Sequence, residues 1–125
     1  MSSKTYNFNN LYGCSFEYRD NMVIISGCID DSQPGKFMKP FFDDVHTHIT
    51  SKKIKEIIID IKNLVFLNSS GIKEFVSWIL KVEVLPKEKL YKLGFVGNKN
   101  KIWQQFSLET LKLLSPEIIN FTLEH

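Results

Sequence analysis

Arginine and cysteine are scarce in this sequence. Arg19 is the only arginine beside fifteen lysines. Proteins that read nucleic acids favour arginine, because its guanidinium contacts bases and phosphates through two hydrogen bonds. Cys14 and Cys28 are too few and too far apart for a structural zinc site, which takes four ligands. We therefore expect no nucleic-acid partner and no zinc site, and we expect both thiols to be reduced.

Long apolar runs are also missing. A membrane-spanning helix needs about 20 consecutive apolar residues, and the densest stretch here, residues 57–67, is interrupted by Asp60, Lys62 and Asn63. No secretory signal is visible at the amino terminus. The chain of 125 residues is 43% hydrophobic and 24% charged, which is ordinary for one globular domain. These features predict a cytoplasmic protein that does not insert into a membrane.

Common catalytic motifs are absent as well. The sequence contains no Walker loop, no dinucleotide-type glycine triplet, no GxSxG elbow and no HExxH motif. His46 and His48 lie on a predicted helix with their side chains about 200° apart, so surface histidines are favoured over a metal site. Ser69 or Ser70 would need a base nearby to act as a nucleophile, and no histidine is obviously placed for that role. The sequence thus predicts a protein without catalytic activity, metal or cofactor.

Strand and helix patterns alternate along the chain. The segment CSFEYRDNMVIISGCI is typical of a β-hairpin that turns at Asp20-Asn21, and EIIIDI (56–61) is typical of a strand that is covered on both sides. The predicted order is β-β-α-β-α-β-α-β, which indicates an α/β fold with a mixed sheet and helical cover. The predicted apolar face of the second helix comprises Ile72, Phe75, Val76, Ile79 and Val82. That of the third helix comprises Ile102, Trp103, Phe106, Leu111 and Leu114.

The two ends of the chain are set apart from the predicted domain. Residues 1–10 are polar and rich in asparagine, which predicts a flexible segment or a short edge strand. The domain itself is expected to span residues 11–122. The final Leu-Glu-His is typical of the start of an expression tag, so we assign residues 123–125 to a tag remnant.

The turn NSSG, residues 68–71, follows the buried strand and opens the second helix. Free N–H groups and the positive end of the helix dipole meet at such a point, so an anion is stabilised there. A phosphate on a serine hydroxyl would fit this field, and Gly71, which has no Cβ, would let a partner approach closely. A plain helix cap formed by Asn68, Ser69 or Ser70 is the alternative interpretation.

Three segments around this turn carry a resemblance to the STAS domain family, the anti-sigma factor antagonists of bacteria. VIISGCID (23–30) resembles that family's second strand, which ends in a glycine-x-apolar-acid pattern. IIIDIKNLVFLNSSGI (57–72) is similar to its strand–loop–helix signature, in which Asp-Ser-Ser-Gly follows the strand. KLGFVGNKNKIWQQFSLETL (92–111) resembles its fourth strand and last helix. The resemblance implies a single STAS-like α/β domain: a mixed sheet with an amino-terminal hairpin and helices packed mainly on one face.

The resemblance also implies a regulatory role in partner switching. In that family the unmodified antagonist binds an anti-sigma factor that is also a serine kinase, and a separate phosphatase reverses the phosphorylation. Carried over by position, the phosphoacceptor is Ser69, with Asn68, Ser70 and Gly71 completing the switch turn. Asn68 stands where the family usually has an acid. The implied partners are a serine kinase of the anti-sigma factor type and a phosphatase.

We predict a partner-binding surface around this turn. Lys73, Glu74 and Ser77 lie opposite the predicted apolar face of the second helix, and Trp78 lies at the edge of that polar side. Asp30, at the end of a strand, completes the predicted surface. Tryptophan often anchors partners, although Trp78 covering the rim of its own core is the alternative.

Two other functions remain open at this point. The chain is alternatively a STAS-like structural or accessory subunit, for example of a membrane transport complex, in which the serine turn is only a helix cap. A third hypothesis is a small-ligand or nucleotide binder that uses the amino terminus of the helix, although a glycine-rich phosphate loop is missing.

Overall fold

A computed structural model of the protein describes the backbone of residues 6–9 and all of residues 13–125. Seven strands are formed by β1 (Tyr6–Asn9), β2 (Cys14–Arg19), β3 (Met22–Ile29), β4 (Glu56–Asp60), β5 (Leu64–Leu67), β6 (Lys92–Asn98) and β7 (Ile119–Glu124). Three helices are formed by α1 (Gly35–Lys52), α2 (Ser69–Glu83) and α3 (Ile102–Leu114), and a short 3-10 helix spans Lys87–Lys89.

The predicted hairpin is confirmed as β2 and β3. Asp20 and Asn21 both adopt positive φ angles, 53° and 62°, as the two-residue turn of a right-twisted hairpin requires. The strand β1 pairs antiparallel with β2 on its outer side. It occupies part of the segment predicted to be flexible, of which residues 1–5 and 10 lie outside the described residues.

The sheet is mixed, as predicted, and it branches at β3. Its main path runs β1-β2-β3-β4-β6-β7, with parallel pairing from β3 onward. The first half of β3 pairs with β4 and its last residues pair with β5, with a register shift between Gly27 and Cys28. Gly27 has a φ of 91°, and a Cβ there would lie 1.9 Å from the carbonyl oxygen of Gly13. The glycine therefore permits the irregularity that lets β3 change partners.

All three helices pack against one face of the sheet, which confirms the predicted arrangement. Phe16 of β2 contacts Phe41 of α1, and Phe95 of β6 contacts Phe75 of α2. In β6 the residue Gly97 shares the inner face with Phe95, and its missing Cβ makes room for α3. The opposite face carries no helix within the described residues, so β4 is covered on one side only rather than on both.

A buried amide holds the branch point of the sheet together. Gln104 of α3 is fully buried, and its Nε2 donates to the carbonyl oxygens of Ile61 (2.7 Å) and Leu64 (2.9 Å). Its Oε1 accepts from the N–H of Asn98 at 2.7 Å. These three backbone groups lie where β4 ends, where β5 begins and where β6 ends. The side chain thereby satisfies polar groups that the branching leaves without strand partners.

The helices are rotated relative to the predicted apolar faces. In α2 the buried residues are Gly71, Phe75, Trp78, Ile79 and Val82, while Ile72 and Val76 are half-buried. In α3 the buried residues are Gln104, Leu108 and Leu111, whereas Ile102 and Phe106 are 69% and 65% exposed. The prediction for α3 is confirmed for Leu111 and was wrong for Ile102, Phe106 and Leu114. The inner face of α3 carries a buried polar residue, and its outer face carries large apolar ones.

The end of the chain continues the sheet. Leu123 and Glu124, which were assigned to the tag remnant, form the last residues of β7 and pair with Gly97 and Asn98. Glu124 also lies 3.2 Å from the ammonium group of Lys62. The last strand therefore extends past the predicted boundary at residue 122. Within residues 13–125, the helices are too short or too polar to cross a lipid bilayer.

We expect Gln104→Glu to lower the free energy of unfolding by at least about 2 kcal/mol, because a carboxylate would face two buried carbonyl oxygens and leave both without a donor. Urea denaturation at neutral pH measures this change. Gln105→Glu is the matched control on the exposed side of the same turn, and we expect it to change stability by less than about 0.5 kcal/mol. Equal losses in the two variants would contradict the role given to Gln104.

Candidate functional site

The predicted switch turn lies at the carboxyl edge of the sheet, where Asn68 caps α2. Its Oδ1 accepts from the N–H of Gly71 at 2.8 Å, and its Nδ2 donates to the carbonyl oxygen of Asp31 at 2.7 Å. Its own N–H donates to the carbonyl oxygen of Ile29 at 3.0 Å. One residue thus joins the end of β3 through its backbone, and the following loop and the helix through its side chain. Only an amide can make both side-chain bonds, because a carboxylate could not donate to Asp31.

Ser69 and Ser70 are the first two residues of α2, with different access to solvent. Ser69 is exposed and Ser70 is half-buried. The Ser69 hydroxyl makes no hydrogen bond to any part of the chain that the structure describes. The N–H groups of both serines also lack an acceptor in residues 13–125, since the cap serves Gly71 and Ile72. A free hydroxyl therefore lies beside two free donors at the positive end of the helix dipole.

Gly71 contributes to internal packing rather than to external access. It is buried, and a Cβ there would lie 2.4 Å from Cδ1 of Leu67 and 3.3 Å from Cγ2 of Ile29. The absence of a side chain lets the first turn of α2 lie directly against the ends of β3 and β5. The expectation that Gly71 opens space for a partner was therefore wrong.

Three of the five residues predicted to bind a partner are exposed: Asp30, Lys73 and Ser77. Glu74 is half-buried, and a Cβ on Gly35 would lie 2.7 Å from its carboxylate. Gly35 is the first residue of α1, whose first turn has no acidic residue of its own. The Glu74 carboxylate therefore stabilises the positive end of the α1 dipole, which gives it a structural role.

Trp78 does not lie on the surface, so its predicted place in the partner-binding surface was wrong and the alternative, that it covers its own core, is confirmed. Its side chain is only 2% exposed and stacks on Phe42 of α1, with ring centroids 4.5 Å apart. Its Nε1 donates to the hydroxyl of Tyr91 at 2.7 Å. The rotation of α2 turns this residue toward α1, where the indole fills the seam between the two helices.

Both histidines of α1 are hydrogen-bonded inside the domain, so the prediction of surface histidines was wrong. His48 is buried, and its Nδ1 lies 2.9 Å from the hydroxyl of Tyr18. His46 is half-buried, and its Nδ1 lies 2.6 Å from the hydroxyl of Tyr91. Their partners lie in different parts of the chain, Tyr18 in β2 and Tyr91 just before β6, in keeping with side chains that point apart on the helix. Burial raises the pKa of Tyr91, so this phenol stays protonated and donates to His46.

Burial lowers the pKa of His46, and the nearby Lys81 ammonium lowers it further, although Asp43 opposes the shift. Neutral His46 accepts a hydrogen bond from the Tyr91 hydroxyl, which itself accepts one from Nε1 of Trp78. Protonation of His46 would leave this chain of hydrogen bonds without its final acceptor. The hydrogen bonds that join α1 and α2 through Tyr91, the residue before β6, are therefore most stable at neutral pH.

Large exposed apolar side chains are concentrated in three elements of the domain, and no pattern in the sequence indicated this concentration. Eight such residues occur in the described part of the chain: Val65, Phe66, Leu80, Val84, Ile102, Phe106, Leu113 and Leu114. All belong to β5, to α2 with its carboxyl-terminal cap, or to α3. A groove of about 410 Å³ runs between α2 and α3, lined mainly by Ile72, Val76, Phe106, Leu111 and Leu114. Exposed apolar surface of this kind marks an interaction site.

We expect Asn68→Ala to lower the free energy of unfolding by about 2 kcal/mol, because it removes the helix cap and the bond to Asp31. Asn68→Asp keeps an acceptor for Gly71 and loses only the donor, so we expect a loss of about 1 kcal/mol. Thermal or urea unfolding of the two variants gives this ranking. An aspartate variant at least as stable as the native protein would contradict the double role of Asn68.

We expect stability to fall as the pH drops below about 6.5, because the unfolded chain then protonates His46 while the folded chain resists protonation. The loss of stability levels off once the pH lies below the lowered pKa that His46 has in the folded protein. His46→Asn keeps an acceptor toward Tyr91 without a titrating ring, so its stability should change less between about pH 7.5 and about pH 5.5. Urea denaturation at both values measures the difference. Parallel curves for the two proteins would refute this source of pH dependence.

Comparisons with known proteins agree with the predicted fold. No family model and no curated protein matches the sequence. Among solved structures, one match is SiaC, from the crystal structure of diguanylate cyclase SiaD in complex with its activator SiaC from Pseudomonas aeruginosa. It has a TM-score of 0.69 and 10% sequence identity, and covers 95% of this chain and 99% of that one.

A second match is an anti-sigma factor antagonist from Mycobacterium paratuberculosis. It has a TM-score of 0.50 and 23% sequence identity, and covers 98% of this chain and 88% of that one. Both alignments extend over nearly the whole chain, so the similarity concerns the complete arrangement of strands and helices. The predicted fold is thereby confirmed: the chain has a STAS-like fold.

Proposed function

We propose that this protein is a non-catalytic binding module of the partner-switching type, with Ser69 as the residue that is reversibly phosphorylated. The observation that carries the proposal is the exposed Ser69 hydroxyl at the start of α2, free of hydrogen bonds to the described residues. A kinase needs a hydroxyl that it can reach. Ser70 is half-buried and meets this requirement less well.

The surroundings of Ser69 suit an added phosphate. The free N–H groups of Ser69 and Ser70 and the helix dipole stabilise a dianion at this point. Lys73 lies one turn further along α2, at the i+4 position, and is exposed. The modified helix would therefore remain folded, and the modification would act on the surface rather than on the core.

The same phosphate would oppose a protein partner that covers this surface. Val65 and Phe66 of β5 precede the turn by a few residues and are exposed. The acidic Asp30 and Asp31 lie on the loop that Asn68 joins to the helix. A dianion beside an apolar contact surface adds a cost of desolvation when a partner covers it. It also adds to the negative charge that Asp30 and Asp31 already give to this surface, and so repels an acidic partner. Phosphorylation is therefore expected to release the partner.

The implied partners are proteins. One structural neighbour is described as an anti-sigma factor antagonist, and the other is an activator in complex with an enzyme. These neighbours support a protein partner. We infer that this partner is a serine kinase of the anti-sigma factor type that binds and modifies the chain, and that a phosphatase reverses the modification. The circuit would operate in the cytoplasm.

We expect Ser69→Asp to weaken capture of the main protein partner from cells of origin at least about tenfold relative to Ser69→Ala, since it adds charge at the contact surface. Thr47→Asp, on the exposed side of α1, is the matched control and should leave capture unchanged. Mass spectrometry of the protein isolated from those cells should place phosphate on the Ser69 peptide.

Two results would contradict this proposal in different ways. Unmodified Ser69 under all growth conditions would exclude the phosphorylation and leave the binding module. Equal capture by the aspartate and alanine variants would favour an accessory subunit that remains bound throughout, in which the turn is only a helix cap.

A further inference from the structure

Lysines are concentrated at the amino edge of the sheet, the end opposite Ser69. Residues 52–56 and 87–92 together carry six lysines and two glutamates. The two segments are in contact: the N–H of Lys92 donates to the carbonyl oxygen of Lys55 at 2.9 Å, and the ammonium of Lys55 donates to the carbonyl oxygen of Glu88. These six side chains form one surface, the lysine edge: Lys52, Lys53, Lys55, Lys87, Lys89 and Lys92.

The positive charge of the lysine edge is largely uncompensated. All six side chains are exposed, and none forms an ion pair with the residues that the structure describes. The two segments carry a net charge of +4 while the whole chain carries +2, so the remaining residues carry −2. Two further acids, Glu83 and Glu117, line a cleft that Lys55 and Lys92 also line, and Glu83 accepts there from the hydroxyl of Ser115. A positive patch of this kind orients a protein on a negatively charged partner.

We propose that the lysine edge docks the protein on the surface of an anionic lipid bilayer. Lysines near such a surface are attracted individually, as point charges. They do not need the planar, two-bond geometry by which arginine recognises a base or a phosphate. The edge contains no arginine. The occupant is therefore a diffuse sheet of negative headgroups rather than a nucleic acid.

An apolar side chain projects beside the lysines. Val84 follows α2 and is 82% exposed, and it leads into Leu85, Pro86 and the 3-10 helix that carries Lys87 and Lys89. An apolar residue flanked by lysines matches the boundary between headgroups and acyl chains. At this boundary the anionic headgroups bind the lysines, and the acyl chains accept the apolar side chain. This contact is peripheral and involves no spanning segment.

Such docking fixes the orientation of the domain. The helix α2 begins at Ser69 and ends next to the lysine edge, so its fifteen residues separate the two ends by about 22 Å. With the lysine edge on the bilayer, Ser69 faces away from the lipid. A protein could therefore bind the Ser69 end while the domain is attached to the membrane.

Co-sedimentation with lipid vesicles tests the proposal. The native protein should bind vesicles of equal parts phosphatidylglycerol and phosphatidylcholine, should not bind vesicles of phosphatidylcholine alone, and should be released by added salt. Lys87→Glu with Lys89→Glu should weaken binding at least about tenfold. Within the described residues, neither lysine side chain forms a hydrogen bond or an ion pair. Thermal unfolding checks that the variant remains folded.

The matched control changes the net charge by the same amount at the other end. Lys36→Glu with Lys73→Glu alters two exposed lysines of α1 and α2 and should leave vesicle binding within about twofold of the native value. Equal losses of vesicle binding in the two double variants would overturn the proposal, because they would mean that the net charge of the protein, and not the position of the lysines, determines binding. Failure of the native protein to bind anionic vesicles at low salt, or tighter retention on single-stranded RNA than on these vesicles, would also overturn it.

Discussion

The buried amide of Gln104 is the interaction on which the site depends. Where β4 turns away and β5 takes its place beside β3, Ile61, Leu64 and Asn98 each have a backbone group that Gln104 satisfies. Trp103, the preceding residue, donates to the carbonyl oxygen of Val65 at 3.0 Å. The amino-terminal turn of α3 thus holds β5 in place. Since β5 ends one residue before the cap of α2, the position of Ser69 follows from a contact made by a different helix.

Local signals in the sequence predicted much of this fold. Asp20-Asn21 specifies a tight turn because both residues tolerate positive φ, and the isoleucines of β4 favour an extended strand. The serine turn was recognisable because a strand, a small polar cluster and an amphipathic helix follow one another directly. Each of these features depends on neighbours a few residues away, which is why a single sequence contains enough information to find them.

Other features depend on contacts that sequence periodicity cannot resolve. Apolar residues cover more than half of the circumference of α2, so several rotations of the helix fit the pattern about equally well. The contact of Trp78 with Phe42 and Tyr91 selects one rotation, and it turns Ile72 outward. Gln104 is a similar case, since a glutamine on a helix is normally exposed and only the branching of the sheet gives it three buried partners.

The same contacts determine how a switch at Ser69 can act. Gly71 packs against Leu67, Asn68 bonds to the loop after β3, and the tryptophan in the middle of α2 is locked between α1 and Tyr91. A helix held at its start and along its length cannot shift easily when one surface hydroxyl is modified. A phosphate at Ser69 therefore changes the charge of a fixed surface rather than the shape of the domain. Discrimination between partners then depends on what each partner presents to that surface, and a partner with an apolar or acidic contact region is the one that such a charge excludes.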